Sequence, residues 1–442
     1  MRGRVRPPYS FLATRYSGVT VVCEQKTWRG PCLSAADWRG EFFATLVFTV
    51  NLIYQVQVVH LNPLQLVLVG TVLEGTLFIF EVPTGIVADV YSRRLSIIIG
   101  VFLVGVGLAL QGVVPTFGVI LLAQVIWGIG YTFTSGATQA WLTDEIGVER
   151  ANPLFLRASQ IELIGSIIAV AIATAIGNFS IRLPILIGGG LYLVMGGVLL
   201  FVMPEHGFTP TPREERTTWQ VIGGTLKGGV SLIRRSHVLL TILGIAAFAG
   251  AATEGYDRLS TDHFLTDFTF PTFHDWKPVV WLGLFSIIGQ LWNIGVFEIV
   301  RRRLNTNSHR AVARALTVST GFLVLCYLGF ALAGNLALAV VASIGVGMFR
   351  NINTPLQTAW INQHVDSRVR ATVISISSQA DAVGQIAGGP VVGYVGVLAS
   401  VRAALVVGGC ILSPALLLYA RTLQRDDPIQ VAMEAAIPEV VP

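Results

Sequence analysis

The chain has 442 residues, of which 53% are hydrophobic and only 12% are charged, and its formal net charge is +5. Soluble domains carry about 25% charged residues and cannot bury this much apolar surface at this length, so the composition excludes a soluble globular protein. Apolar stretches of about the 20 residues that cross a bilayer recur along the chain. We therefore predict an all-α integral membrane protein.

Twelve apolar segments, separated by turn signals, are the predicted membrane spans. Asn62-Pro63, Pro184 and Pro204 mark boundaries between them. Asn152 followed by Pro153 is typical of a helix N-cap with proline at the first helical position. The predicted spans cover residues 40–60, 64–90, 95–114, 117–142, 154–177, 183–203, 238–259, 278–300, 311–333, 336–362, 370–396 and 400–420.

Basic residues fall on one side of these spans. With the loop after span 2 in the cytoplasm, cytoplasmic loops and tails hold 25 of the 30 lysines and arginines, the other side holds four, and Arg350 lies within a span. The positive-inside rule therefore predicts a multi-pass protein of the plasma or inner membrane with both termini in the cytoplasm. The same bias explains the net positive charge without a nucleic-acid partner.

Two parts of the chain share a pattern at an offset of 219 residues. Residues 159–165 have the sequence SQIELIG, and residues 378–384 have SQADAVG. The same offset relates Gly128 to Gly347 and Ala140-Trp141 to Ala359-Trp360, while an offset of 209 relates Glu81 to Gln290 and Asp89 to Glu298. These matches predict two pseudo-symmetric six-helix bundles related in parallel.

The repeat divides the chain into five predicted parts. The N-terminal tail lacks the apolar core of a signal peptide and is predicted to be disordered, unless the true start codon lies downstream. The linker between the bundles is predicted to include an interfacial amphipathic helix. The parts are a cytoplasmic tail at 1–37, a bundle at 38–203, a cytoplasmic linker at 204–237, a second bundle at 238–421 and a cytoplasmic tail at 422–442.

The loop between spans 2 and 3 carries the most specific motif. It has the pattern Gly85-x-x-x-Asp89-x-x-x-Arg93-Arg94, and a degenerate echo follows at Gly295-x-x-Glu298-x-x-x-Arg302-Arg303. With twelve spans in two halves, this motif resembles the signature of the major facilitator superfamily, over essentially everything after residue 38. The segments EVPTG and SGATQAWLTD also resemble bacterial drug-efflux members.

The resemblance implies a gating role for this loop. Asp89 is expected to meet the N-terminus of span 11, where a helix dipole favours anions, when the cavity opens outward. Arg93 and Arg94 are expected to pair with Asp144 or Glu145, although a solvated loop held by positive-inside charges is the alternative. The candidate gating residues are Gly85, Asp89, Arg93, Arg94, Asp144, Glu298 and Arg302.

Carboxyl groups within spans are candidates for proton coupling, because ionisable residues at bilayer depth are costly. Residues 74, 78, 81 and 85 form one helical stripe that is expected to face span 11. Hydrogen-bonded struts are the alternative role, and that role is favoured for Glu81. A structural or gating role is favoured over substrate contact for Glu162, and Asp381 is expected to pair with Arg350. The candidates are Glu74, Glu81, Glu162 and Asp381.

In the family that the chain resembles, spans 1, 4, 7 and 10 line a central cavity. That implies a set of candidate substrate contacts from these spans, whereas Asp257 and Arg258 are expected near the membrane interface. The candidates are Asn51, Gln55, Tyr131, Gln139, Glu254, Tyr256, Arg350 and Asn351.

We find no enzyme motif, metal-ligand spacing or cofactor signature. Protons are the expected driving ion. The first hypothesis is a monomeric secondary transporter, surrounded by membrane lipid, that exports a small drug-like or amphipathic substrate against protons. Two departures weaken antiport: Gln124 stands where proton-coupled members often have arginine, and span 5 lacks the antiporter Gly-Pro pair. A metabolite symporter or uniporter, and a non-transporting sensor or lipid scramblase, remain alternatives.

Overall fold

The computed structural model describes residues 30–210, 237–303, 308–365 and 370–424. These residues form thirteen α-helices. The first half contains α1 (Gly30–Gln57), α2 (Pro63–Val90), α3 (Arg93–Val113), α4 (Phe117–Thr134), α5 (Ala137–Ile146), α6 (Val148–Phe179) and α7 (Arg182–Val202). The second half contains α8 (His237–Asp267), α9 (Pro278–Arg303), α10 (His309–Ala331), α11 (Leu336–His364), α12 (Arg370–Leu398) and α13 (Val401–Gln424).

The predicted fold class is confirmed. Among the described residues, ten helical segments are long and apolar enough to cross a membrane, with α4 and α5 counted together as one. The helices α1 and α12 occupy the positions of the two remaining predicted spans. No strand occurs in the described ranges.

Side-chain caps fix where several helices begin. Asn62 accepts a hydrogen bond from the Gln65 amide at 2.9 Å, and the Gln65 side chain accepts one from the Asn62 amide at 3.0 Å. This reciprocal capping box satisfies two amides that the first turn of α2 leaves unpaired. Ser92 and Asn335 cap α3 and α11 with one hydrogen bond each, which their side-chain oxygens accept from the amides of Leu95 and Leu338.

Three predicted boundaries are wrong. The helix α1 begins at Gly30, so residues 30–37, which were predicted as tail, are helical. The helix α6 begins at Val148, directly after the left-handed Gly147 (φ 83°), and Pro153 lies inside it rather than at its start. The helix α8 continues to Asp267, eight residues beyond the predicted span. The remaining tail predictions and the interfacial linker helix fall on residues 1–29, 211–236 and 425–442, outside the described residues.

Glycines allow close packing of helices within the first half. A methyl group at Gly189 of α7 would lie 2.7 Å from the Ala109 backbone nitrogen of α3. A methyl group at Gly107 of α3 would lie 2.7 Å from Trp127 of α4. Because such distances are too short for a side chain, α3 is held against both neighbours at backbone contact. In the second half, α8 packs against α12 and α13, and α10 packs against α11 and α13.

The two halves meet through α2 with α12 and through α6 with α9. We call the end of the bundle where α2 passes into α3 the basic end, and the end where α1 passes into α2 the opposite end. At the opposite end, a methyl group at Gly393 would lie 3.1 Å from Leu64. There the Lys277 amide also donates to Asn178 Oδ1 at 3.0 Å. The halves are therefore packed together at the opposite end.

Candidate functional site

A cavity of about 800 Å³ lies toward the basic end. Its wall comes from the start of α1, from α3 to α7 and from α9, so both halves contribute. We call the part lined by polar residues the polar chamber; among the described lining residues of the cavity, two are carboxylates and none is lysine or arginine. The polar lining residues include Glu41, Thr45, Thr49, Tyr131, Ser135, Gln139, Glu162, Ser166, Ser286 and Gln290.

A helix break opens span 4 into this chamber. The helix α4 ends at Thr134, α5 begins at Ala137, and Ser135 and Gly136 between them line the cavity. Gly136 has φ 71° and ψ −37°, a conformation that residues with a Cβ rarely adopt. Of the predicted cavity residues, Tyr131 and Gln139 flank this break and line the chamber.

Charged residues from four helices form a second cluster, which we call the charged layer. Arg350 of α11 donates two hydrogen bonds to Asp257 of α8, at 2.5 and 3.0 Å. The expected partner, Asp381, instead accepts from Gln385 at 2.8 Å. The prediction was wrong because α8 extends to Asp267, which places Asp257 well before the end of the helix and opposite Arg350, rather than at the end of the span.

The charged layer continues to α2. Glu254 of α8, which is 3% exposed, accepts a hydrogen bond from Arg258 at 3.0 Å. A methyl group at Gly70 of α2 would collide with both of these side chains, so α2 runs directly along the pair. Glu74, one turn further along α2, interacts electrostatically with Glu254, Arg258 and Asp381. The layer thus holds four acids, Glu74, Glu254, Asp257 and Asp381, and two arginines.

Two polar contacts join the halves in a pseudo-symmetric way. Gln379 of α12 donates to Glu81 of α2 at 3.3 Å, as expected for a stripe that faces span 11. Ser166 of α6 donates to Gln290 of α9 at 3.2 Å. Glu81 and Gln290 are the residues that the 209-residue offset relates. The repeat-related acids differ, because Glu162 lines the polar chamber and Asp381 lies in the charged layer.

The loop between α2 and α3 is tied to the first half. Arg93 forms an ion pair with Asp144 of α5. Ser92 Oγ donates to Glu205 at 2.7 Å, and the Arg94 amide donates to the same carboxylate at 2.9 Å. Arg94 therefore lies against the end of α7, where its guanidinium donates to the Leu200 carbonyl, and against the segment that follows, rather than against α5.

Asp89 and Gly85 lie at the exposed edge of this loop. The side chain of Asp89 is 59% exposed, and its carboxylate lies 3.6 Å from Arg93 one turn along the chain. Apart from the local backbone of α2, no described atom lies within 4 Å of the position that a Cβ of Gly85 would take. In the echo motif, Glu298 accepts a hydrogen bond from Arg302 at 2.6 Å on an exposed surface.

Several predicted cavity residues lie outside the cavity wall. Asn51 and Gln55 are buried in α1, with 4% and 0% of their surface exposed. The ring of Tyr256 packs between Tyr327 and Phe330, at centroid distances of 4.8 and 5.2 Å. Glu254 and Arg350 belong to the charged layer, while Asn351 is exposed on α11.

Sequence analysis missed three residues that help to build these sites. Glu41 lines the polar chamber, Asp257 binds Arg350, and Glu205 caps α3. Glu41 and Glu205 lie at the edges of apolar segments, where acids are ordinary. A signal for Asp257 exists, since the EGYDR segment places two acids and an arginine next to the apolar part of span 7.

Two six-helix halves around a polar cavity, closed at one end and carrying ionisable groups inside the bundle, define a membrane transporter. The sequence model of the Major Facilitator Superfamily matches residues 40–388. The chain belongs to this superfamily.

Relatives and solved structures agree with this class. The chain is 24% identical over 361 residues to the uncharacterized MFS-type transporter YxaM of Bacillus subtilis (strain 168), covering 80% of this chain and 86% of that protein. The nucleoside transporter NupG has a TM-score of 0.69 at 16% identity, over 89% of this chain and 98% of that one. A bacterial homolog of the human lysosomal transporter Spinster, in an inward-facing and occupied conformation, has a TM-score of 0.69 at 14% identity, over 91% and 98%. At 16% and 14% identity, these two structures show that the chain shares their fold.

Proposed function

We propose that this transporter exports a small amphipathic compound in exchange for protons by alternating access. The observation that carries the proposal is the cavity toward the basic end, combined with close packing of the halves at the opposite end. The positive-inside rule assigns the basic end to the cytoplasm. Substrate then enters the polar chamber from the cytoplasm and leaves when the halves rock about it.

The charged layer supports the proton-coupling part of this proposal. The layer contains four acids but only two arginines. This excess of acids favours the uptake of a proton there. Carboxyl groups in low-dielectric surroundings bind protons when they lose an ionic partner. Because α2 and α8 belong to different halves, rocking changes the distance between Glu74 and the pair Glu254–Arg258. Glu74 is therefore the proposed coupling residue.

A metabolite carrier is the second candidate. The polar chamber and the Arg350–Asp257 pair suit a hydrophilic substrate better than a purely apolar one. The solved structures with this fold also include a nucleoside transporter and a POT family transporter in complex with a peptide conjugate. The sensor and scramblase alternatives differ from both candidates, because neither predicts gradient-driven accumulation of a solute.

Uptake of a fluorescent lipophilic cation into everted membrane vesicles, driven by an imposed proton gradient, tests this proposal. Vesicles from the same host without the protein are the control. Gradient-dependent uptake above that control supports proton-coupled export. Lack of uptake by folded protein, together with accumulation of a radiolabelled nucleoside or dipeptide in right-side-out vesicles, favours the metabolite carrier. Lack of transport in both assays favours a sensor.

A further inference from the structure

A buried histidine lies at the opposite end of the bundle, outside the cavity and the charged layer. His263 of α8 is 0% exposed. Its Nδ1 atom lies 2.6 Å from Oδ2 of Asp267, and its Nε2 atom lies 3.1 Å from the carbonyl oxygen of Phe330, one residue before the end of α10. The rings of Phe268 and Phe330 flank the imidazole at centroid distances of 5.0 and 4.9 Å. The imidazole is therefore held between two helices and away from water.

The two contacts of this imidazole need two protons. A carboxylate oxygen and a carbonyl oxygen both accept hydrogen bonds, whereas a neutral imidazole has only one N–H group. One proton therefore lies on Nε2 toward Phe330, and another lies between Nδ1 and the carboxyl group of Asp267, whichever of the two carries it. The dipole at the C-terminal end of α10 also favours a cation there. The His263–Asp267 pair thus binds one proton more than a neutral histidine beside an ionised aspartate, and it exchanges this proton as a unit.

Few other charges face this pair. In the neighbouring helix ends, residues 50–57, 63–70, 278–285, 324–331, 336–343 and 391–398, no side chain is acidic or basic. The titratable side chains in these ranges are those of Tyr54, Cys326, Tyr327 and Tyr394. Asp262 of α8, which is 6% exposed, interacts electrostatically with Asp267. Arg402 of α13 lies 3.4 Å from the other oxygen of Asp267, but its side chain is 41% exposed. Water screens that charge, so Arg402 takes no part in the proton bridge.

The helix that carries this pair also contacts the first half. The helix α8 packs against α1 and α2, and Gly70 of α2 lies against Glu254 and Arg258. Leu259 and Phe264, on either side of His263 in sequence, are 0% and 7% exposed and belong to a core that includes residues of α1 and α2. Opening of the opposite end moves the first half away from α8. That movement uncovers this core and lets water reach His263.

We propose that the His263–Asp267 pair is a second proton-binding site, loaded from the non-cytoplasmic side, whose proton holds the opposite end closed. The closed form places the imidazole between both acceptors, so a bound proton favours that form. Water that enters the open form competes for the same hydrogen bonds and exchanges the proton. A falling external pH then shifts the protein toward the form that is closed at this end. This inference rests on the proposed function and deepens it, because external protons trigger the return step of the exchange.

Double electron–electron resonance on the protein in lipid nanodiscs tests this inference. Val113→Cys at the end of α3 and Leu398→Cys at the end of α12 place spin labels on exposed sites of the two halves, in a chain with its four native cysteines replaced. Samples span about pH 5.5 to about pH 8, the range in which imidazole ordinarily exchanges its proton. The ratio of open to closed distances should rise by at least about threefold with pH, since one linked proton changes it by up to about tenfold per pH unit.

His263→Asn keeps a donor for Asp267 but binds no proton, so it should lose most of this pH dependence. His60→Asn is the matched control: His60 is an exposed histidine at the same end, and asparagine tolerates its φ of 58°. This control should keep the dependence of the wild type. A histidine with a merely structural role would shift the ratio equally at every pH.

Equal pH dependence in wild type and in folded His263→Asn, or none in the wild type, would overturn the inference. If His263→Asn does not fold, Asp267→Asn takes its place in the same comparison. The measurement needs neither substrate nor a gradient. Opening that depends on His263 and on pH, without gradient-driven uptake, would therefore refute the proposed export and leave the second proton site standing.

Discussion

At the scale of single residues, the charged layer is the feature with the most direct bearing on transport. It places Glu74 of α2 beside the Glu254–Arg258 pair of α8, at a contact made tight by Gly70. An ionisable group at bilayer depth persists only where it has partners or a function. Glu74 differs from Glu81, whose hydrogen bond to Gln379 fits the structural role favoured for it from sequence.

Replacing Glu74 by glutamine should uncouple transport from the proton gradient. The amide keeps the size and hydrogen bonding of the side chain but cannot exchange a proton. We expect loss of gradient-driven uptake in vesicles by at least about tenfold, with substrate exchange at equal pH retained. Glu81→Gln is the matched control on the same helix. Unchanged gradient-driven uptake in Glu74→Gln would remove Glu74 from the coupling mechanism.

Transport and folding should depend on the pairing of Arg350 with Asp257 rather than on either charge alone. The two side chains are 33% and 45% exposed, and removing either one leaves the other charge without its partner inside a membrane-spanning bundle, where ionisable groups are costly. Arg350→Asp and Asp257→Arg should each lower transport and yield of folded protein, while the double exchange should recover part of both. Arg402→Gln, at the pair with Asp267 near the opposite end and outside the charged layer, serves as the control. No recovery in the double variant would contradict pairing as the role of these residues.

At the scale of helices, the break between α4 and α5 lies between the cavity and the loop that connects α2 to α3. One side of the break carries Tyr131 in the polar chamber, and the other carries Asp144, which binds Arg93. A short helix that ends at the chamber on one side and at the loop on the other is well placed to transmit movement between them. We expect Gly136, with its positive φ, to act as the hinge in such a movement.

Alanine at Gly136 should therefore impair folding or movement. A Cβ at φ 71° and ψ −37° is strained, at a cost of about 1–3 kcal/mol. We expect a lower melting temperature and slower transport for Gly136→Ala in purified, reconstituted protein. Gly190→Ala is the matched control, because its Cβ would meet open space in a regular helix. Equal behaviour of the two variants would show that the break needs no glycine.

The same helices show which features a sequence can predict. Hydropathy, loop charge and the 219-residue repeat predicted the fold and the loop motif, because each depends on residue types spread over many positions. The break at Gly136 escaped prediction, since one glycine among 46 carries no local sign of positive φ. The partner of Arg350 was misassigned because inward-facing charges end a hydropathy window early. As a result, α8 was predicted to stop eight residues before Asp267.

At the scale of the whole molecule, the two ends of the bundle differ. Close packing of Gly393 and Gly396 on the start of α2 joins the halves at the opposite end. At the basic end Asp89 is exposed, and no described atom of another helix lies within 4 Å of the Cβ position of Gly85. The gating contact predicted for an outward-open cavity is consistent with this difference, since a latch at the basic end would form only when the opposite end opens.

Alternating access is the central claim, and cross-linking of the opposite end tests it most directly. Leu64→Cys and Gly393→Cys, in a chain with its four native cysteines replaced, place two thiols where α2 and α12 make their closest approach. We predict that oxidation abolishes substrate transport in proteoliposomes and that reduction restores it, while substrate binding from the basic end persists throughout. Transport at an undiminished rate by the fully cross-linked protein would contradict alternating access through this cavity.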